Sequence, residues 1–172
     1  MWCRRSSVLR SLTLGACVVG CYAPPASTQV RPLAEPLPVK RFRSDSIAFA
    51  TFSGVVDSTR LVIRDRRRWR EYWARIHSPF VPPPREPEID FNREMVIVAA
   101  LGRRPSLGYD ILIRSATRDS GGIEVQLRRS KPGLGCPVGA AITEPIDLAR
   151  IPASDLRVRF TELITATPCG ER

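Results

Sequence analysis

The sequence predicts a mainly β domain: an antiparallel β sandwich-like or curled sheet of about seven strands with one packed α-helix. Three observations carry this. Short runs of alternating apolar and polar residues recur along the chain, bounded by clusters of Gly, Pro, Asp and Ser. Only one stretch, "RRRWREYWARI", repeats its apolar residues at helical spacing. And one run, "EMVIVAALG", is apolar throughout, as a strand covered on both faces must be.

Taken in order, "SIAFATFSGV" alternates well enough for a strand, and "RLVIR" predicts a second. Asp65 then stands where a helix N-cap belongs. Trp69, Tyr72, Trp73 and Ile76 follow at i, i+3, i+4 and i+7, so they share one face that belongs in the core. "SPFVPPPREPE" forbids helix and predicts an exposed loop. "YDILIRSAT" and "IEVQLRRS" flank the turn sequence "RDSGG" and predict a hairpin. "AITEPIDLARI" is extended and broken by Pro145, and "LRVRFTEL" supplies a last alternating strand. The folded unit is expected over residues 45–164, with a C-terminal tail over 165–172.

The first residues are of another kind. "MWCRRSSVLR" is basic and "SLTLGACVVG" is uncharged and mostly apolar, a pattern of export signals that is too short to span a bilayer. "VVGC" at 18–21 resembles a bacterial lipobox. It predicts a signal peptide over 1–20 and lipidation of Cys21; Cys17 in "LGAC" also fits the local pattern but leaves only a stub of apolar sequence after Arg10, and a plain signal peptide with incidental cysteines is the alternative. Residues 21–44 hold several prolines and little apolar periodicity, so they predict a Pro-rich tether. The expected location is the bacterial cell envelope, lipid-anchored. A diacylglycerol-type modification supplies the second acyl chain that stable anchoring requires.

The formal charge of +10 falls to +7 once Arg4, Arg5 and Arg10 leave with the signal peptide. An exported protein does not meet chromosomal DNA, so no nucleic-acid partner is expected. The charge suits solubility, or contact with anionic lipid or an acidic protein. With Cys21 lipidated, Cys136 and Cys169 remain in an oxidising compartment. They either form a disulfide that staples the C-terminal tail to the "PGLGC" loop or remain apart in a loose tail.

No catalytic constellation emerges, and the chain is expected not to be an enzyme. Its one histidine, His77, falls where it can complement a helix C-terminus. Ser106 lacks the G-x-S-x-G elbow, because Arg104 stands at the first glycine's place. A Cys136–His77 dyad is less economical than oxidation or burial of the thiol. There are too few His and Cys at ligand spacing for zinc, so no metal or cofactor is expected. "PGLGC" runs into Pro137 rather than a helix, which removes the phosphate-cradling geometry.

Recognition is better supported. "RRPSLGY" reads as the connection between two neighbouring strands. Pro105 holds Arg104 extended, and Gly108 permits a turn that bulkier residues resist. Arg103, Arg104, Pro105, Ser106, Leu107, Gly108 and Tyr109 are therefore candidate partner-binding residues, as are Gly133, Leu134 and Gly135 of the second loop. A stiff loop loses little entropy on binding, and Arg and Tyr often anchor interfaces. A solvated turn with Tyr109 folded onto the core is the alternative.

The order of "RLVIRD", "WREYWARI", "IDFNREMVIVAALGRRPSLGYDILI" and "SKPGLGCPVGAAITEPIDLARIP" resembles the C-terminal domain family of the protease-complex subunit PrcB, over residues 54–161. The resemblance implies an exported bacterial protein, in some members a lipoprotein, that binds or stabilises another exported protein, such as a protease. It brings no catalytic residues. Where the family commonly has Thr-Gly-Gly-Tyr, this chain has Ser106-Leu107-Gly108-Tyr109. The same turn also resembles a loop of chagasin-type cysteine-protease inhibitors, which implies the alternative of direct inhibition through the 103–109 and 133–136 loops.

Overall fold

The computed structural model describes residues 34–42 and 51–169. The signal peptide over 1–20, Cys21 and most of the expected tether lie outside the described residues. The elements are β1 (Glu35–Leu37), β2 (Lys40–Arg41), β3 (Thr59–Ile63), α1 (Arg66–Ile76), β4 (Glu94–Ala100), β5 (Asp110–Asp119), β6 (Gly122–Pro132), β7 (Ile146–Pro152) and β8 (Val158–Thr167). They form two four-stranded sheets, an outer sheet ordered β1-β5-β6-β8 and a covered sheet ordered β2-β7-β4-β3. The fold is mainly β and sandwich-like, with α1 packed on the covered sheet.

Helix α1 begins where its sequence says. The Asp65 carboxylate accepts a hydrogen bond from Arg68 N–H at 2.9 Å, and the residue itself is extended (φ −142°). Trp69, Tyr72, Trp73 and Ile76 are buried against Val96, Val98, Ala100, Ile146 and Leu148 of the covered sheet. Each large side chain contributes on the order of 2 kcal/mol by leaving water. The Pro-rich segment after the helix is tied down by indoles: Trp73 Nε1 donates to Pro84 O at 3.1 Å and Trp69 Nε1 to Pro87 O at 3.3 Å.

Strand β4 is buried on both faces. Val96, Val98 and Ala100 face the helix, while Met95, Ile97 and Ala99 face the outer sheet's Ile111, Ile113, Ile123, Val125 and Leu127. A polar lock sits within this inter-sheet layer. The register of β5 against β6 shifts between Ile113 and Ser115. Buried Asp147 of β7 reaches that bulge from the other sheet: its Oδ2 accepts from Ile113 N–H and from Arg41 Nη1, each at 2.7 Å. Arg41 also donates to Ile113 O, so both backbone groups of Ile113, beside the bulge, are satisfied.

Four expectations need correction. Residues 34–42, placed in the tether, contribute β1 and β2, one to each sheet. Leu37 and Phe42 explain this, since each is buried in one of the two core layers and Phe42 stacks on Trp69 at 5.4 Å between centroids. Proline content hid the pairing, but Pro36 sits in an edge strand, where a missing N–H is tolerated. Of the expected strand in "SIAFATFSGV", residues 46–50 lie outside the described residues, and the described part shows a bridge from Phe52 to Glu144. The sheets are not wholly antiparallel: β8 runs parallel to β6 because the chain crosses to the covered sheet as β7 before returning. Finally, β8 continues to Thr167, beyond the expected end at 164.

Candidate functional site

The 103–109 segment does not join neighbouring strands. It carries the chain from β4 in the covered sheet to β5 in the outer sheet, around one end of the sandwich. Backbone stitches fix its path. Arg103 N–H donates to Val56 O at 2.9 Å, Arg104 exchanges both backbone bonds with Thr143 (2.7 and 3.0 Å), and Leu107 N–H donates to Gly139 O at 3.1 Å. Thr143 Oγ1 donates to Ser106 O at 3.1 Å. Gly108 has φ +90°, and a Cβ there would lie 3.0 Å from Pro132 Cγ, so a side chain at this position would be strained by the backbone and would press on the end of β6.

This stitching brings parts of the two predicted loops together. Gly108 and Tyr109 from the first and Cys136 from the second line an open pocket of about 610 Å³, joined by Pro137 and Val138 just beyond the second, while Gly133, Leu134 and Gly135 do not line it. Its floor is the outer face of the outer sheet, where Asp110 pairs in register with Ser130 and Arg128 lies two residues away. Thr167 and Pro168 form the remaining wall. A disulfide joins Cys136 to Cys169, with Cα atoms 5.1 Å apart, and so fastens that wall to the second loop. Gly133 N–H donates to Thr167 O at 2.9 Å beside it.

Tyr109 is half-buried. One face packs toward the inter-sheet core, the ring lines the pocket, and the Arg104 guanidinium lies 5.9 Å from its centroid. The side chain leans on the core and still presents surface. Arg104 is further held by its Nη2 donating to Leu101 O at 2.6 Å. Burial pushes the Asp110 carboxyl above its ordinary value, opposed by the Ile111 backbone hydrogen bond and by Arg128, whose Nη2 is 3.7 Å away.

The other predicted residues point elsewhere. Arg103 is exposed and pairs with Glu144 at 3.3 Å, on the side of Val56 and Phe52 rather than the pocket. Pro105 is exposed, and Leu134 is fully exposed at 105% at the tip of the second loop, next to exposed Gly135. Asp110, Arg128, Ser130, Pro132, Pro137, Val138, Thr167 and Pro168 escaped sequence reasoning. Counting back from the "RDSGG" turn without the bulge would pair Asp110 with Lys131; the bulge shifts it to Ser130.

Chemically, the pocket offers an aromatic face, apolar walls from Pro132, Pro137 and Val138, and a loose carboxylate–guanidinium pair. Cys136 is committed to the disulfide, and His77 packs on Trp73 at 3.9 Å, in the helix layer. Among the described residues, no three His, Cys, Asp or Glu side chains are gathered to hold a metal.

A model of the PrcB C-terminal family matches residues 95–152. This part of the chain belongs to the PrcB C-terminal family. The family segment runs from β4 through β7 and so contains both loops of the pocket, while the β8 wall lies beyond it. It is narrower than the resemblance over 54–161, omitting β3, α1 and the start of β8. No curated protein and no solved structure matches the chain.

Proposed function

We propose that this chain is a non-enzymatic envelope lipoprotein whose PrcB C-terminal segment holds another exported protein, a protease by family association, at the pocket between the 103–109 and 133–138 loops. The observation that carries the reading is the convergence of two loops, far apart in sequence, on one concave surface fixed by backbone stitches and a disulfide. A preformed pocket with an aromatic wall suits an apolar or aromatic anchor residue of a partner, because little ordering entropy is lost on docking. The lipobox at Cys21 supports anchoring, and the Pro-rich stretch before residue 34 supports a spacer between lipid and domain.

The test is co-purification of the full chain from its native envelope in mild detergent. A stoichiometric exported partner is expected with the parent chain and lost with Val138→Arg, which fills the pocket with charge, or Tyr109→Ala. Recovery of the same partner with both variants would remove the pocket from the reading. Full exposure of Leu134 favours a second reading, direct inhibition by the 103–109 and 133–136 loops acting as wedges. It predicts dose-dependent loss of activity in a panel of cysteine and serine proteases, weakened by Leu134→Ser and Tyr109→Ala. No inhibition by the parent chain would eliminate it.

A further inference from the structure

Strand β8 ends the outer sheet, and among the described residues nothing pairs with its far side. Its near side runs in unbroken register with β6, from Ile123↔Val158 to Pro132↔Thr167. Ile123 N–H donates to Arg157 O and Gly133 N–H to Thr167 O, each at 2.9 Å. Odd-numbered residues of β8 therefore turn their backbone groups toward β6. Alternation then presents the N–H and C=O groups of Phe160, Glu162, Ile164 and Ala166 on the open side.

Proteins guard an edge of this length with proline, lysine, bulges, a short strand or an inward charge. "VRFTELITAT" has no proline and no lysine, and its register against β6 shows no bulge. Its one inward charge, Glu162, is already held by Arg60 Nε at 2.7 Å and Arg129 Nη1 at 3.0 Å. Leu163 and Ile164, on opposite faces of the strand, are 60% and 57% exposed. The other end of the same sheet is closed differently, by three-residue β1 with Pro36 at its centre.

We propose that the open edge of β8 pairs antiparallel with β8 of a second copy of this chain, with Leu163 on the twofold axis. The strand's own charges select both occupant and register. Antiparallel self-pairing must set even residues opposite even ones, because only these carry outward backbone groups. Two such registers keep almost the whole strand paired. One centres on Glu162 and places like charges opposite each other. The other centres on Leu163 and sets Thr161 opposite Thr165, Phe160 opposite Ala166, Glu162 opposite Ile164 and Arg159 opposite Thr167. No like charges meet, the threonines form two favourable cross-strand pairs, and the exposed leucines cover each other. The proposal does not rest on the pocket, and either reading can fail alone.

The test uses the full chain in detergent. Sedimentation should show a concentration-dependent dimer, and Leu163→Lys should weaken it by about tenfold or more, because two like charges then face each other across the axis. Retention of the parent circular dichroism spectrum will show that this exposed site tolerates lysine. Leu163 pairs with itself at a non-hydrogen-bonded position, where Cα atoms lie about 4.5 Å apart, within disulfide reach. Leu163→Cys should thus cross-link to itself under mild oxidation, identified by mass spectrometry as a peptide joined to its own copy. Thr161→Cys and Thr165→Cys should link when mixed and not singly. A monomer at every concentration, a dimer indifferent to Leu163→Lys, or failure of Leu163→Cys to link would overturn the proposal.

Discussion

Removing the disulfide by the double substitution Cys136→Ser/Cys169→Ser should cost a large part of the domain's stability. The bond spans a sequence separation of 33, and the loop it closes includes all of β7 in one sheet and β8 in the other. Loop-closure entropy for that length is about −12.5 cal/mol/K, so the unlinked chain gains about 3.7 kcal/mol of unfolded-state freedom at 25 °C. With a urea slope of about 2 kcal/mol/M, the midpoint should fall by roughly 2 M. The slope itself should rise, since an unlinked denatured chain exposes more surface. The assay is equilibrium urea unfolding of parent and variant, followed by tryptophan fluorescence, with and without reductant. Reductant should shift the parent to the variant's midpoint and leave the variant unmoved. Equal midpoints for parent and variant would refute the argument that this link constrains the folded unit.

Other perturbations probe other parts of the structure. Asp147→Asn should destabilise by about 2 kcal/mol, because the buried carboxylate accepts both Arg41 Nη1 and Ile113 N–H; hydrogen exchange should rise at Lys40 and Arg41 before the rest of the covered sheet. Tyr72→Phe should be neutral or stabilise by up to about 1 kcal/mol, since the buried hydroxyl finds no hydrogen-bond partner among the described residues and burial pushes its pKa up to about 12; thermal melts will decide. Gly108→Ala should destabilise by about 1–2 kcal/mol through its positive φ, again read by urea midpoints. Glu94 is held below the ordinary carboxylate range by the Lys40 hydrogen bond, against burial and with help from Arg150. Its stabilisation is present above the unfolded glutamate pKa and lost as pH falls through the depressed one; Glu94→Gln should flatten that acid limb.

What was legible in the sequence was whatever burial imposes as a period. The aromatic stripe of α1, its Asp65 cap, doubly buried β4 and the β5–β6 hairpin all follow from which faces must avoid water. Direction and sheet membership have no such signature. An alternating strand reads the same parallel or antiparallel, so β8 gave no hint of its pairing with β6. "RRPSLGY" looked like a turn between neighbours because Pro and Gly mark a change of direction and not the sheet that receives the chain. Short edge strands were invisible for another reason: β1 and β2 are fixed by single buried side chains, Leu37 and Phe42, and two residues set no period. The pocket depended on a bulge, and the bulge on Asp147, which stands 34 positions from the Ile113 amide it satisfies. Proximity of that kind is a property of the assembled sheets.

The two sides of the sandwich are finished in opposite ways, and this bears on how both proposed contacts could coexist. β1 and β2 close the side at which the chain enters the domain, one on each sheet, pinned by Leu37, Phe42 and the Arg41–Asp147 pair. β8 and β3 border the other side, where Arg60 of β3 and Glu162 of β8 join the two sheets. The pocket opens on the outer face at the end of the sheets where β8 finishes, whereas the open edge offers its backbone groups in the plane of the sheet. Confinement to a membrane would raise the effective concentration of the edge well above that of a free chain. Self-pairing should accordingly be tighter for the anchored protein than for a Cys21→Ser variant released into solution, and equal dimer fractions for the two at matched copy number would sever the link between anchor and edge.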